Sequence, residues 1–477
     1  MNMSDFSLMI PEMVVLGMAC LILVVDAFLR EEQKIISYIL TQLTLIAAAW
    51  LTWSLHTGAT AVGFSGTFVA DPMADVLKFS IYLVTFVVFV YSHQYLQVRK
   101  LFKGEFYVLG LFAVLGMMIL VSAHSMLTVY LGLELMSLSL YAMVAFNRDS
   151  ALSSEAAMKY FILGGFASGV LLYGMSILYG VSATLDLGQL GEFLAAQQSM
   201  SPPLMLGMVF VIVALAFKLG AVPFHMWIPD VYHGAPSAVT AFIGTAAKLA
   251  GFGFMMRLLV EGMGAMQTSW QDILIILSVL SLAVGNIVAI AQTNIKRMLA
   301  YSTIAHVGFI LLGFIASNDD GYSSAMFYTI TYAITAAGAF GIVILLSREG
   351  FEADNINDYK GLNSRHPWYA FMMLLLMFSM AGVPPTVGFY AKLLVLKAVV
   401  DQEMAWLAVT AVLFSVIGAF YYLRIIKVMY FDDPEDKTDI EATGGMHLIL
   451  SSNGLFVLAA GLFPGSLIAL CLAAIGT

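Results

Sequence analysis

The sequence predicts an all-α polytopic membrane protein with about fourteen transmembrane helices. Three observations lead there. Of its 477 residues 61% are hydrophobic and only 11% charged, with a mean hydropathy of +0.92; a soluble domain carries about 25% charged residues. Apolar stretches of about 20 residues, each able to cross a hydrocarbon layer of about 30 Å, recur along the whole chain. The short alternating segments of an outer-membrane barrel are absent.

The spans fall near 7–29, 35–54, 74–93, 106–121, 125–146, 154–181, 203–232, 237–259, 271–291, 295–316, 322–347, 367–399, 404–430 and 446–474. The first holds Glu12 and Asp26 and has no basic residue before it, which argues against a cleavable signal. Two spans are too long for a single crossing and carry prolines in their middles: Pro223 and Pro229 in one, Pro384 and Pro385 in the other. Proline removes a backbone donor and clashes with the preceding turn, so both read as broken helices.

Loop charges orient the chain. With both termini outside, the inner loops carry Arg30, Lys34, Arg99, Lys100, Lys103 and Arg148 in the first half. Lys296, Arg297, Arg348, Lys360, Arg365, Arg424, Lys427 and Lys437 follow in the second, against only Arg257 and Lys397 outside. The bias satisfies the positive-inside rule and requires an even number of spans. The net charge of −9 says little, because most of the surface faces lipid.

An internal echo accompanies the breaks. Phe217-Lys-Leu-Gly-Ala-Val-Pro-Phe resembles Phe378-Ser-Met-Ala-Gly-Val-Pro-Pro, aligned so that Pro223 stands opposite Pro384. In that register Lys218 falls opposite Ser379 and Lys392 opposite Val231, so the charges of the two halves are not equivalent. The organisation expected is a three-helix segment (1–105), two inverted five-helix repeats (106–262 and 263–431), each with one broken helix, and a C-terminal helix (432–477). Inverted repeats with broken helices mark transporters, with sites at the breaks.

Five lysines lie inside spans: Lys78, Lys159, Lys218, Lys248 and Lys392; Glu134 sits mid-helix. A charge at bilayer centre costs about 2.5–3.5 kcal/mol on insertion scales, so such groups face protein or water. Burial lowers a lysine's pKa and a nearby carboxylate raises it, so an ion pair that opens and closes can load and unload a proton. Glu134 and Lys218 are the natural pair, Lys218 lying just before Pro223; a static ion pair between two helices is the competing reading. Lys248 has small neighbours that leave room for water or for close packing, and Lys392 follows the second break or snorkels outward. Lys159 follows Glu155 by one turn, as in an ordinary helix-surface pair. Lys78 follows Asp75 and reads as a snorkelling or locally paired residue. His225 and His306 could relay protons or be hydrogen-bonded core histidines, while His124 and His233 read as helix-end residues with no role.

Cys20 and Cys471 cannot supply the four thiolates of an iron–sulfur cluster or structural zinc site, and no Walker loop, GxGxxG turn or HExxH motif is present. Any redox centre would belong to other subunits.

Three segments carry a family resemblance: Leu131-Gly-Leu-Glu-Leu-Met-Ser-Leu, the run from Phe217 to Pro236, and Gln292-Thr-Asn-Ile-Lys-Arg-Met-Leu-Ala-Tyr-Ser-Thr-Ile-Ala-His-Val-Gly. They resemble the antiporter-like membrane subunits of respiratory complex I, and the likeness runs over nearly the whole chain. A long lateral C-terminal helix, found in one branch, is missing, and Lys392 stands where another branch has glutamate. The resemblance implies proton translocation, with Glu134 and Lys218 as the ion pair of a first half-channel, Lys248 at the centre and Lys392 in the exit half. Lys159 and His225 would support them, and His306 joins them from the reading of the residues above. It implies no cofactor on this chain, with NADH, FMN, iron–sulfur clusters and quinone in partner subunits. Expected neighbours are the antiporter-like subunit M, the small subunit K and membrane lipid, with no nucleic acid, in a bacterial inner membrane. A cation/proton antiporter subunit of the Mrp type, or a non-transporting membrane scaffold, would share the same spans.

Overall fold

In the computed structural model, residues 3–435, 440 and 442–476 are described; Lys437, counted above among the inner charges, lies outside them. The chain begins with α1 (Met3–Leu8), α2 (Ile10–Asp26) and α3 (Ile35–Leu55). An antiparallel hairpin of β1 (Ala61–Gly63) and β2 (Phe68–Ala70) leads to α4 (Pro72–Val98). Next come α5 (Gly104–Val121), α6 (Met126–Val144), α7 (Ala151–Ser182), the short α8 (Leu187–Ala195) and α9 (Pro202–Leu219). Beyond a non-helical stretch lie α10 (Trp227–Gly234) and α11 (Ser237–Met255), the latter continued by a π-helical segment, Met256–Gly262. The second half runs through α12 (Gln267–Ile290), α13 (Ile295–Ala316), α14 (Asp319–Leu346), the one-turn α15 (Leu362–Arg365), α16 (Pro367–Ala381) and α17 (Val387–Asp401). It closes with α18 (Ala405–Phe431), α19 (Gly444–Leu462) and α20 (Gly465–Ile475).

Among the described residues 12 helices are long and apolar enough to cross a membrane. The 17-residue α2 and the interrupted α16–α17 pair account for the other two crossings expected. Several helix starts are capped as their sequences require. Asp71 accepts from Ala74 N at 2.8 Å, Asn294 from Arg297 N at 3.0 Å and Asn318 from Gly321 N at 2.7 Å, each satisfying an orphan first-turn donor.

α11, α13 and α14 form the centre: 94%, 94% and 89% of their apolar windows are buried, against 39% for α7 and 33% for α18. The helices carrying Lys248 and His306 are therefore enclosed by protein on nearly all sides, while α7 and α18 form the periphery.

The structure corrects four expectations. The break near Pro223 does not extend to Pro229, which sits in the first turn of α10, where a missing N–H costs nothing. The last span is divided: α19 ends at Leu462 and α20 restarts at Gly465 after Pro464. Arg257, counted among the outside ends, is 1% exposed and bonds Asp71 at 2.7 Å, Glu261, and the Val121 carbonyl at 2.9 Å. Lys296, counted among the inner-loop charges, is 2% exposed and donates to the Ala235 carbonyl at 3.2 Å.

Candidate functional site

Both helix breaks are built the same way. α9 ends at Leu219, and Gly220 turns left-handed (φ +83°); α16 ends at Ala381, and Gly382 turns left-handed (φ +85°). Gly220 N donates to Ala216 O and Phe217 O while Ala221 N returns to Ala216 O. Gly382 N donates to Phe378 O and Ser379 O while Val383 N returns to Phe378 O. Glycine fills each cap because an L side chain is strained there. These caps correct the register of the echo: Gly220 matches Gly382 and Pro223 matches Pro385, one residue from the sequence alignment. Lys218 then stands opposite Met380, and Lys392 opposite Asp230.

A helix end presents unpaired carbonyls and roughly half a negative charge, a favourable seat for a cation. Both breaks hold an ammonium there. Lys248, 3% exposed, donates from α11 to the Leu219 carbonyl at 2.7 Å, with its ammonium 5.8 Å from the Trp227 ring centre. Lys392 donates to the Ala381 carbonyl at 2.8 Å and to Ser415 Oγ of α18 at 2.8 Å, over the Phe309 ring. In the corrected register Leu219 and Ala381 are the same position. Lysines from different helices thus occupy equivalent seats, which is why alignment of the lysines themselves found no symmetry.

Lys218, in the last turn of α9, donates to Ser137 Oγ at 2.8 Å and Tyr141 Oη at 3.4 Å. Ser137 and Glu134 lie one turn apart on α6, but Glu134 accepts from Ser168 Oγ of α7. Among the described residues no ion pair within 4.0 Å joins Glu134 to Lys218, so the expected closed pair is open here. Each charge rests on its own serine hydroxyl.

His306 is 6% exposed and lies between two phenols: Nδ1 is 2.7 Å from Tyr328 Oη, and Nε2 is 3.1 Å from Tyr422 Oη. Ser302 Oγ approaches Tyr422 Oη at 2.5 Å, and Thr303 Oγ1 lies 2.7 Å from Tyr332 Oη. A cavity of about 10 Å³, close to the least that holds one water, is lined by His306, Tyr328, Tyr332, Ser379 and Lys392. It links His306 to Lys392.

Other expected residues stand apart. Lys159 is exposed and pairs with Glu155 at 2.9 Å and Asp230 at 2.8 Å; Asp230 also bonds Arg297 at 2.9 Å. That is a charge cluster at the protein edge, and Lys159 touches none of the buried lysines. His225 is half-buried beside Tyr301 (ring centres 6.5 Å apart), its Nδ1 without a hydrogen-bond partner. Lys78 neither snorkels nor pairs with Asp75: it meets Glu12 at 2.6 Å, each side chain 2% exposed, with Phe68 beneath the ammonium. Sequence reasoning also passed over Ser137, Ser168, Ser415 and the tyrosines around His306. Only Ser137, one turn beyond Glu134, carried a signal.

The arrangement offers proton-carrying groups at both breaks, hydroxyls beside each, and a histidine flanked by phenols in the enclosed centre. Residues 123–418 match the family model described as NADH:quinone oxidoreductase/Mrp antiporter, TM. A protein of Thioalkalivibrio sulfidiphilus named NADH-quinone oxidoreductase subunit N is 63% identical over 472 residues, covering 99% of this chain and 98% of that protein. Among solved structures, a chain of respiratory complex I from Thermus thermophilus with bound aureothin is similar at a TM-score of 0.84 and 28% identity, covering 98% of this chain and 100% of its own. A chain of the Mrp complex from Dietzia sp. DQ12-45-1b reaches a TM-score of 0.85 at 20% identity, covering 100% and 97%, a likeness of fold alone. Matched end to end by relatives of that name, with the family model lying across both breaks, the chain belongs to the NADH-quinone oxidoreductase subunit N family.

Proposed function

We propose that this chain is a proton-translocating membrane subunit of a NADH:quinone oxidoreductase, in which Glu134, Lys218, Lys248 and Lys392 hold and pass protons. The observation that carries the reading is the pair of equivalent seats, Leu219 O and Ala381 O, each filled by a buried ammonium. Such a seat stabilises the charged lysine through the helix-end dipole, while burial opposes it, so a modest electrostatic change nearby tips the balance. Glu134 supplies that change in the first half. Rotating its carboxylate from Ser168 toward Lys218 would stabilise the ammonium, and returning it would release a proton inward. In the second half the proton passes from Lys392 through the small cavity to His306 and its phenols. Lys159 and His225 serve as supporting groups, Lys159 by fixing Asp230 beside the first break.

On this reading residues 106–262 and 263–431 are the inverted repeats, and both termini face the outside of a bacterial inner membrane. NADH, FMN, iron–sulfur clusters and quinone are held by partner subunits, among them the neighbours M and K. The test is proton pumping by the assembled complex. Glu134→Ala and Lys218→Ala should each lower NADH-driven pumping at least about tenfold, as loss of a proton-transfer group does, with the complex still assembled. Pumping left intact in both would overturn the reading.

A further inference from the structure

α3, α4, α14, α19 and α20 line a cavity of about 440 Å³ that contains none of the buried lysines. Its α4 wall is one helical stripe, Asp75, Val76, Phe79, Ser80, Leu83 and Val84. Ile334 closes the back, and Leu470 and Ala474 of α20 form the facing wall. From Pro72 to Val84 the wall descends about 18 Å, close to one leaflet with its interfacial layer. The 11-residue α20 is likewise too short to cross a bilayer.

The slot is apolar below its mouth, where α3 ends and α4 begins, except for Thr52 and for Ser80, whose hydroxyl is tied back to the Val76 carbonyl at 2.8 Å. At the mouth His56 Nδ1 meets Asp75 Oδ2 at 2.7 Å, beside the exposed Trp53. Tryptophan at a helix end marks the headgroup level. With Nδ1 committed to Asp75, His56 keeps Nε2 for another partner. A mouth that pairs a carboxylate with an imidazole acceptor complements a headgroup that carries an ammonium.

We propose that this slot is a binding site for a phosphatidylethanolamine molecule, one acyl chain lying between α4 and α20. The headgroup ammonium faces the Asp75 carboxylate and donates to His56 Nε2, the acceptor left when Nδ1–H is given to Asp75. Exposed apolar residues on a membrane protein are ordinary; a slot one leaflet deep with a hydrogen-bonded histidine and carboxylate at headgroup level is not.

The experiment uses the intact complex in liposomes containing phosphatidylethanolamine with a diazirine in its acyl chain, followed by peptide mapping of the photolabel. Label should concentrate on peptides from α4 and α20, above the lipid-facing surface of α7. Leu83→Trp and Leu470→Trp, both at partly exposed positions, should abolish that excess. Unlabelled phosphatidylethanolamine should compete, and phosphatidylglycerol, lacking the ammonium, should compete about tenfold less well, the loss of one charge-assisted hydrogen bond. Asp75→Asn should remove the preference, and His56→Ala should weaken it. Equal labelling of α4, α20 and α7, retention of the excess in both tryptophan variants, or equal competition by the two lipids would overturn the proposal. So would an absence of label because a neighbouring subunit covers the slot.

Discussion

The Glu12–Lys78 pair lies 2.6 Å apart with both side chains 2% exposed, and neither Glu12 oxygen has a hydrogen-bond donor besides the ammonium it faces. Each charge is tolerable only because of the other. Lys78→Ala should therefore destabilise the protein by about 3–5 kcal/mol, whereas Lys78→Met combined with Glu12→Leu should be near neutral. Thermal unfolding of the purified complex in detergent checks both arms, and equal loss in the single and double variants would refute the argument. His124, between α5 and α6, titrates differently. The Glu261 carboxylate at 3.8 Å, with Asp186 opposite at 3.9 Å, holds its pKa above the ordinary histidine value despite partial burial. Its contribution is therefore complete below about pH 6.5, the unfolded value, and is lost as pH rises through the folded one. Asp186 caps α8, accepting from Gln189 N at 2.9 Å. Amide exchange in α8 should accelerate over that interval, and His124→Gln should remove the pH dependence.

At the scale of elements, the two broken helices depend on their glycine caps. Gly382 has φ +85°, and a Cβ there would stand 2.8 Å from Lys392 Cδ. Gly382→Ala should cost about 1–2 kcal/mol for the left-handed backbone, displace Lys392 and depress pumping in a complex that still assembles. Gly165→Ala on α7, with nothing within 4 Å of its Cβ, should leave pumping unchanged. How much of this was legible beforehand follows from the physics of each signal. Proline and glycine act through their own backbone, so both breaks could be read from the sequence, as could the helices, whose apolar lengths match a bilayer. The one-residue error in the echo arose because the pattern of prolines is ambiguous (Pro384 or Pro385) and the cap hydrogen bonds settle it. Partners across helices were not legible. Glu12 lies far from Lys78 in sequence, and the pairing of Lys218 with Ser137 rather than Glu134 depends on side-chain direction. Tyr328, Tyr332 and Tyr422 come from two helices that only packing brings to His306.

For the molecule as a whole, the question is which cation crosses it, since the scaffold is shared with a chain of the Mrp complex. Broken helices serve sodium or protons by offering half-helix carbonyls and hydroxyls as ligands. In this protein those oxygens are taken by ammoniums: Leu219 O by Lys248, Ala381 O and Ser415 Oγ by Lys392, and Ser137 Oγ by Lys218. A sodium ion entering either seat would have to displace a like charge that is tethered within reach, which the enclosed α11–α13–α14 centre makes costly. On the proposed path a proton needs no such displacement, because it would arrive on the lysine and leave from it. Pumping by the complex in liposomes should therefore run at the same rate in sodium-free potassium buffer as with added sodium, and an imposed sodium gradient should move no protons. Lys392→Ala, which frees Ala381 O and Ser415 Oγ, should lower proton pumping sharply, and sodium should not restore it. Sodium-dependent turnover of the unaltered complex would show that the ammoniums are not the carriers and would favour the antiporter reading instead.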